Sequence, residues 1–182
     1  MPILTSPKIE QLEKDVQEHN KKIIELKSAL QEIEVQNYPF VKSEGTTENL
    51  SDLFQGHSYL VLIHNMGQGC KYCTMWANGF EGIYRHFDDK AGFVLVNHDS
   101  SEKQIAFAKQ QGWTFPIYSA SQTTFTTDMG FKDDKTLWPG VSVFRKSDDG
   151  KIFLISQSVF GPGDNFCSVW HFYDMMPEEF SY

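Results

Sequence analysis

Apolar residues near the start of the chain recur at alternating spacings of three and four. The positions are Ile9, Leu12, Val16, Ile23, Leu26, Leu30 and Ile33. Charged and amide side chains fill nearly all the positions between them, and no glycine or proline interrupts the run. This is the a/d pattern of a heptad repeat, with His19 at one d position, and it predicts a long helix from about Ile9 to Ile33.

We expect this arm, residues 1–36, to use its apolar stripe in one of two ways. It either packs on its own domain or joins two copies of the chain as a short coiled coil. About three and a half heptads are barely enough for a coiled coil. The polar His19 would then select one register at some cost in stability. The second alternative makes the protein a homodimer through its N-terminal helix.

Pro39 ends the helical pattern, because the residue before a proline is pushed out of the right-handed helical region. Residues 41–49 are mostly polar and contain a glycine. We therefore assign residues 37–58 to a connector, with one short helical turn from Thr46 or Thr47 to Phe54. The compact domain then covers residues 59–182.

From Tyr59 onward, short apolar runs alternate with helical spacings. Residues 59–63 and 93–98 are apolar runs rich in β-branched and aromatic side chains, which is typical of buried strands. Each run is followed by apolar residues at helical spacing: Trp76, Phe80, Ile83 and Phe87 after the first, and Ile105, Phe107 and Ala108 after the second. Ser100 or Ser101 can cap the second helix, and Gly112 ends it.

The rest of the chain predicts an extended piece at 115–118, a loop or weak helix at 119–127, strands at 141–145 and 152–156, and a closing helix at 164–176. Asp148-Asp149-Gly150 lies between the last two strands and is a hairpin signature. This order indicates an α/β sandwich. Its first two strands should be parallel and joined by a right-handed crossover.

Composition narrows the class of protein. A 40% hydrophobic content argues against disorder, and a net charge of −8 argues against a nucleic-acid surface. The apolar runs are shorter than the roughly 20 residues that span a bilayer, and no apolar leader segment is seen, so we expect a cytoplasmic protein without a membrane partner. The odd count of three cysteines argues against a disulfide framework.

The candidate chemistry lies where the first strand turns into the first helix. Gly67 and Gly69 allow a sharp turn, and the helix opens with Cys70-Lys71-Tyr72-Cys73. A thiol at a helix N-terminus sits among unpaired N–H groups that favour the reactive thiolate. We expect Cys70 to be the nucleophile, with Lys71 adding positive charge, and Cys73 to be the resolving thiol. A zinc site is disfavoured because a second C-x-x-C or an H-x-H is absent.

This order of elements, with C-x-x-C at the first strand-to-helix turn, resembles the thioredoxin fold: a βαβ half and a ββα half in a three-layer sandwich. The stretch from Trp138 to Phe144 places Pro139 where that family has a cis-proline facing the cysteine pair. The resemblance implies that Pro139 is cis and presents backbone to the incoming disulfide. Lys71, Tyr72 and Trp138 would then contact the substrate.

A closer resemblance covers almost the whole chain. It rests on the runs 50–56, 60–66, 70–80, 112–116, 139–144 and 170–174. Together they are similar to an uncharacterised bacterial thioredoxin-like family, a domain of unknown function with an N-terminal helical arm. This resemblance implies the fold and the arm, and it brings no established substrate. The chain departs from working thioredoxins in having Lys71-Tyr72 between the cysteines instead of Gly-Pro, and no tryptophan before Cys70.

His64 stands six residues before Cys70, where thioredoxins carry a buried carboxylate. By this analogy we expect its imidazole to accept a proton from Cys73 during exchange. The alternative is that His64 is only a packed core residue.

The sequence therefore predicts a thiol–disulfide oxidoreductase acting on protein or small-molecule disulfides, with an unidentified reducing partner and without a cofactor or metal. Two alternatives stay open: a peroxiredoxin-like thiol peroxidase and a non-catalytic assembly protein that uses its arm. The peroxidase alternative is weakened because the motif P-x-x-x-T-x-x-C is missing and no arginine adjoins the pair. A metallochaperone is weaker still, since His98 and His171 lack diagnostic spacing. No role is assigned to Cys167.

Overall fold

The computed structural model describes residues 5–42, 45–87 and 89–177. Parts of the predicted arm (1–4), connector (43–44) and domain (88 and 178–182) lie outside the described residues. The chain divides into two compact units, residues 1–32 and residues 33–182. The first is therefore the arm, and the second contains every strand given below.

The arm is built on helix α1, Pro7–Ser28. The Ile9 N–H donates to the Ser6 side chain at 3.3 Å, and Pro7 occupies the first helical turn, so the helix begins with a regular cap. The helix ends earlier than predicted. Ile33 is not its last heptad position but the first residue of strand β1, Ile33–Val35.

One sheet forms the centre of the second unit. Its strands after β1 are β2 (Pro39–Lys42), β3 (Thr47–Asn49), β4 (Tyr59–His64), β5 (Gly92–Asn97), β6 (Ile117–Ser119), β7 (Gly140–Lys146) and β8 (Ile152–Val159). The order across the sheet is β1-β8-β7-β4-β5-β6-β2-β3. As predicted, β4 and β5 pair in parallel, as do β5 and β6, and the remaining pairs are antiparallel.

The helices of this unit are α2 (Lys71–Glu81), α3 (Ser101–Gln111), α4 (Phe125–Asp128) and α5 (Ser168–Tyr173), with a 3₁₀ turn at Tyr84–Phe87. Helix α5 is shorter than the predicted 164–176. The carboxylate of Asp164 accepts the N–H groups of Gly161 and Phe166 and the indole N–H of Trp76. These bonds hold residues 161–166 in a loop, so the helix begins only after Cys167.

The predicted connector, residues 37–58, is wrong as a separate segment. Strand β2 pairs with β6, and β3 pairs with β2, so this segment extends the sheet. The predicted helix there is replaced by β3 and by turns that follow it over one face of the sheet and bury Leu50, Leu53 and Phe54 completely. The domain therefore begins at Ile33 rather than at Tyr59, and the arm ends before residue 36.

Each face of the sheet carries its own core, because side chains alternate along a strand. Leu60 and Leu62 of β4 belong to the first core, which is completed by residues 38–54 and by aromatic side chains of residues 118–131. Ile63 belongs to the second core, which is covered by α2, α5 and residues 107–115. The predicted three-layer sandwich is confirmed, with β4–α2–β5 as its βαβ half and β7–β8–α5 as its ββα half.

The start of β7 is packed too closely for any side chain. A Cβ atom added to Gly140 would lie 2.2 Å from Phe131 Cε1 and 2.5 Å from the carbonyl oxygen of Ser158. We expect Gly140→Ala to lower the free energy of unfolding by roughly 1–3 kcal/mol, as overpacking does. Gly161→Ala is the matched control, since nothing lies within 4 Å of its added Cβ. Equal urea midpoints for the two variants would contradict this packing.

Candidate functional site

Hydrogen bonds from Asn65 hold the turn between β4 and α2 in place. Its side-chain oxygen accepts the Gly67 N–H at 2.7 Å, and its side-chain nitrogen donates to the carbonyl oxygen of Cys73 at 3.3 Å. Its own N–H donates to Val96 O of β5 at 2.9 Å. Asn65 is buried, so the side chain and backbone of one residue join the turn, the neighbouring strand and the first turn of α2.

The end of β5 supplies a second support. The Asp99 carboxylate accepts the Gln68 N–H at 2.9 Å, and the Asp99 N–H donates to the Asn97 side chain at 2.9 Å. Gly67 has a φ of +96°, and a Cβ there would lie 2.6 Å from Asp99 Oδ2. Only glycine suits this position. Asn65 and Asp99 are not among the residues predicted from the sequence, although both follow an apolar run at the carboxyl end of a parallel strand.

Cys70 is the N-cap of α2, and its side chain is partly exposed. The Cys73 N–H donates to Cys70 Sγ at 3.1 Å. The sulfur therefore takes the place of a capping oxygen at the positive end of the helix dipole, where negative charge on it is stabilised. This is the position that the sequence analysis expects of the nucleophile.

Cys73 is the buried member of the pair, with 1% of its surface exposed. Burial, followed by a hydrogen bond to Cys70 and the charge of Cys70, raises the pKa of its thiol to about 12. A hydrogen bond from the backbone of Met66 acts in the opposite direction. The two thiols therefore influence each other, and Cys73 is protonated at physiological pH.

His64 lies on the other face of the sheet. It shares one face of β4 with Leu60 and Leu62, and its ring stacks on Phe131 at 3.9 Å and on Phe125 at 5.5 Å in the first core. Cys73 belongs to the second core. The analogy with the thioredoxin carboxylate therefore fails, and His64 is not placed to take a proton from Cys73. Spacing along the chain matched that of thioredoxins, but the direction of the side chain did not.

His64 is instead part of a buried network of hydrogen-bonded side chains. Its Nε2 lies 2.8 Å from Ser142 Oγ, which also accepts a hydrogen bond from Gln157 at 3.0 Å. The other ring nitrogen, Nδ1, has no hydrogen-bond partner among the described residues. Burial lowers the pKa of His64 to about 3, so the imidazole is neutral at physiological pH.

Pro139 directly precedes β7. Gly140, the first residue of β7, pairs with His64, the last residue of β4, so Pro139 lies near the carboxyl end of β4. The sequence-based prediction of a cis bond is wrong: the Trp138–Pro139 peptide bond is trans. In the trans form the carbonyl oxygen of Pro139 accepts the Phe160 N–H at 2.9 Å, and the Trp138 N–H donates to Phe131 O at 2.9 Å. Backbone pairing on both sides of this bond is thus complete without a cis turn.

The predicted substrate-contacting residues are partly exposed. Tyr72 is 39% exposed and lies against Trp170, with 5.7 Å between ring centroids, whereas Trp138 is 37% exposed. Lys71 borders a mainly apolar groove of about 680 Å³ that runs along α2. The opposite wall of the groove is formed by residues 165–169 and His171. Cys167 contributes to that wall but is itself buried.

Neither a metal centre nor a membrane segment is found in the described ranges. They hold no group of three or more His, Cys, Asp or Glu side chains that could bind a metal ion. None of their helices is long and apolar enough to cross a membrane.

Residues 8–179 match the family described as "Bacterial protein of unknown function (DUF899)". The chain belongs to this family. The match includes most of the arm as well as the sheet, as the sequence resemblance implied. No curated protein matches the chain.

Solved structures similar to this family member include several peroxiredoxins. Peroxidoxin BcpB from Mycobacterium tuberculosis is 23% identical, with a TM-score of 0.57 over 70% of this chain and 84% of that one. The bacterioferritin comigratory protein of Xanthomonas campestris, whose structures concern alkyl peroxide reduction, is 22% identical, with a TM-score of 0.56 over 73% and 87%. A putative protein disulfide isomerase from Bacteroides thetaiotaomicron is 19% identical, with a TM-score of 0.50 over 79% and 87%. These likenesses show the thioredoxin fold.

The buried, neutral state of His64 makes stability depend on pH. The pKa of the folded protein, about 3, lies below the unfolded value, so the unfolded chain binds the extra proton. The contribution of neutral His64 to the free energy of unfolding is complete above about pH 6.5 and is lost as the pH falls towards 3. Between pH 6 and pH 4.5 the free energy of unfolding decreases by about 2 kcal/mol from this cause.

Urea unfolding of wild type and His64→Asn at several pH values in this window isolates the contribution, because other groups titrate alike in both proteins. We expect the wild type to lose stability more steeply than the variant. Parallel curves would contradict the buried imidazole.

Proposed function

We propose that this protein is a thiol–disulfide oxidoreductase in which Cys70 attacks a disulfide and Cys73 resolves the mixed disulfide. One observation carries the proposal. Two thiols lie in the first turn of one helix: Cys70 is partly exposed and accepts the backbone N–H of Cys73, and Cys73 is buried. An exposed sulfur that can carry negative charge is a nucleophile, and a neighbouring buried sulfur can react only with the first.

The reaction balances with the two thiols alone. The Cys70 thiolate attacks one sulfur of the substrate, the substrate S–S bond breaks, and the leaving thiolate takes a proton. Cys73 then loses its proton and attacks Cys70 Sγ, which forms the Cys70–Cys73 disulfide and releases the second substrate thiol. The substrate gains two electrons and the protein loses them. A thiol reductant must restore the dithiol, and the reducing conditions of the cytoplasm, where we place the protein, would supply one.

The order of the two steps follows from the surroundings of Cys73. Two of the causes that raise its pKa, the hydrogen bond and the charge, come from Cys70. Both end when Cys70 enters the mixed disulfide, whereas the hydrogen bond from Met66 remains. The pKa of Cys73 therefore falls when its thiolate is needed, although burial, the largest cause of the raised pKa, still acts.

Substrate contacts are proposed on the exposed surface next to Cys70. Tyr72 and Trp138 each present part of an aromatic ring to solvent, and Lys71 follows the nucleophile directly. Pro139 lies where β7 begins, at the same edge of the sheet, and is proposed to line the approach of the disulfide. Contacts of this kind depend little on the sequence around the substrate disulfide, so they would suit protein substrates of different sequence.

Thiol peroxidase activity is the second candidate, favoured by the likeness to peroxiredoxin structures. Cys70 would then cleave an O–O bond and become a sulfenic acid, and Cys73 would condense with it to release water. The positions of the chain's two arginines weigh against this candidate. Arg85 contacts Tyr84 and Thr114, and Arg145 lies over the ring of Phe153.

The test compares cysteine variants in insulin-disulfide reduction with dithiothreitol as reductant. We expect Cys70→Ser to abolish turnover. Cys73→Ser, incubated with insulin after removal of dithiothreitol, should accumulate a mixed disulfide on Cys70 that mass spectrometry detects. Cys167→Ser is the matched control and should retain wild-type turnover.

A parallel assay with a peroxide substrate separates the two candidate functions. Consumption of cumene hydroperoxide much faster than disulfide reduction would replace the oxidoreductase by a peroxidase. Inactivity of the wild type in both assays would leave the non-catalytic assembly protein.

A further inference from the structure

Nothing described within the arm's own unit covers the apolar stripe of helix α1. No residue of α1 is buried. The apolar a and d residues of the helix are 49% to 61% exposed, and there are five of them: Ile9, Leu12, Val16, Ile23 and Leu26. A stripe of large aliphatic side chains at heptad spacing is the usual mark of a helix that pairs with another helix. The remaining question is which helix covers it.

We propose that the arm pairs with the arm of a second copy of this chain, and that the two helices run antiparallel. In this orientation each a residue faces a d residue of the other helix. Ile9 then lies opposite Leu26 of the second copy, Leu12 opposite Ile23, and Val16 opposite His19. The six layers are symmetric about the middle of α1, so the whole stripe is covered.

The charges that flank the stripe select the antiparallel orientation. Antiparallel helices bring g positions together, which places Asp15 beside Lys22 of the second copy, twice by symmetry. The e positions bring together Glu13 and Asn20, which do not repel. Parallel helices would instead place Lys22 beside Lys27 twice, and this repulsion would offset the attraction between Lys8 and Glu13. Only the antiparallel pair is free of like-charge contacts.

His19 fits the same orientation. Its Nδ1 lies 2.7 Å from the carbonyl oxygen of Asp15, one turn earlier in its own helix. A carbonyl oxygen can only accept, so Nδ1 carries the hydrogen and is already satisfied within the helix. The ring can therefore lie beside Val16 of the second copy. Parallel helices would place two His19 rings face to face in one layer.

The area is sufficient for a dimer of modest affinity. Six partly exposed side chains on each of two helices bury on the order of 1,000 Å², near the lower limit of specific interfaces. Dimerisation should therefore depend on protein concentration, and changes of a single charge pair should be measurable.

The experiment is light scattering of the full-length protein from micromolar to sub-millimolar concentration. Lys22→Asp places two aspartates together in the antiparallel pair, so we expect the dimer dissociation constant to rise about tenfold. Asp15→Lys combined with Lys22→Asp should restore the wild-type constant. Lys21→Asp, on the outer f position, is the matched control and should leave it unchanged.

Three results would overturn the proposal. A wild type that stays monomeric throughout the concentration range would mean that no second copy covers the stripe. A tighter dimer of Lys22→Asp would show parallel helices, because the introduced carboxylate would then attract Lys27. A dimer insensitive to both variants would show that the interface lies elsewhere. Circular dichroism of each variant confirms that α1 is still formed.

Discussion

The turn from residue 65 to residue 70 is the constraint on which the site depends. It must reverse the chain from the end of β4 into α2 within a few residues, and its backbone N–H groups need partners. Asn65 and Asp99 supply them, from the ends of two parallel strands. Because β4 and β5 each pair with a strand on both sides, their ends are fixed in position, and the turn that they hold is fixed as well. The N–H of Cys73 then donates to Cys70 Sγ, and the Cys73 side chain is buried.

The two faces of the sheet have different roles. The face that carries α2 holds the cysteine pair, whereas the opposite face holds His64 in an aromatic and hydrogen-bonded core. A one-residue difference in strand register would exchange the faces. This explains why a residue at the spacing of the thioredoxin carboxylate serves another purpose here. It also removes His64 as a base for Cys73, so the proposed chemistry relies on the interaction between the two thiols.

Much of the fold could be predicted from periodicity. The strands β4, β5, β7 and β8 and the helices α2 and α3 are long enough for their apolar pattern to dominate. Strands β1, β2 and β3 are only three or four residues long, and they form because neighbouring strands offer free backbone groups. Such pairing leaves no local signal. The end of α1 was misplaced for the same reason, since Ile33 continues the heptad but pairs with β8.

The cysteine pair could also be predicted, because its chemistry depends on local position at a helix start. Asn65 and Asp99 could not be assigned roles, because their hydrogen bonds join segments that are distant in sequence. Pro139 was misjudged by analogy: the backbone bonds around it are satisfied with a trans bond.

The central claim is that Cys70 and Cys73 form one redox couple. The most direct measurement equilibrates the protein with mixtures of reduced and oxidised dithiothreitol, alkylates the free thiols and identifies them by peptide mass. The account predicts a single two-electron transition in which Cys70 and Cys73 lose their label together and are recovered as one disulfide-linked peptide, while Cys167 stays labelled or protected throughout. Failure to form this disulfide at any ratio, or pairing of Cys70 with Cys167 instead, would contradict it.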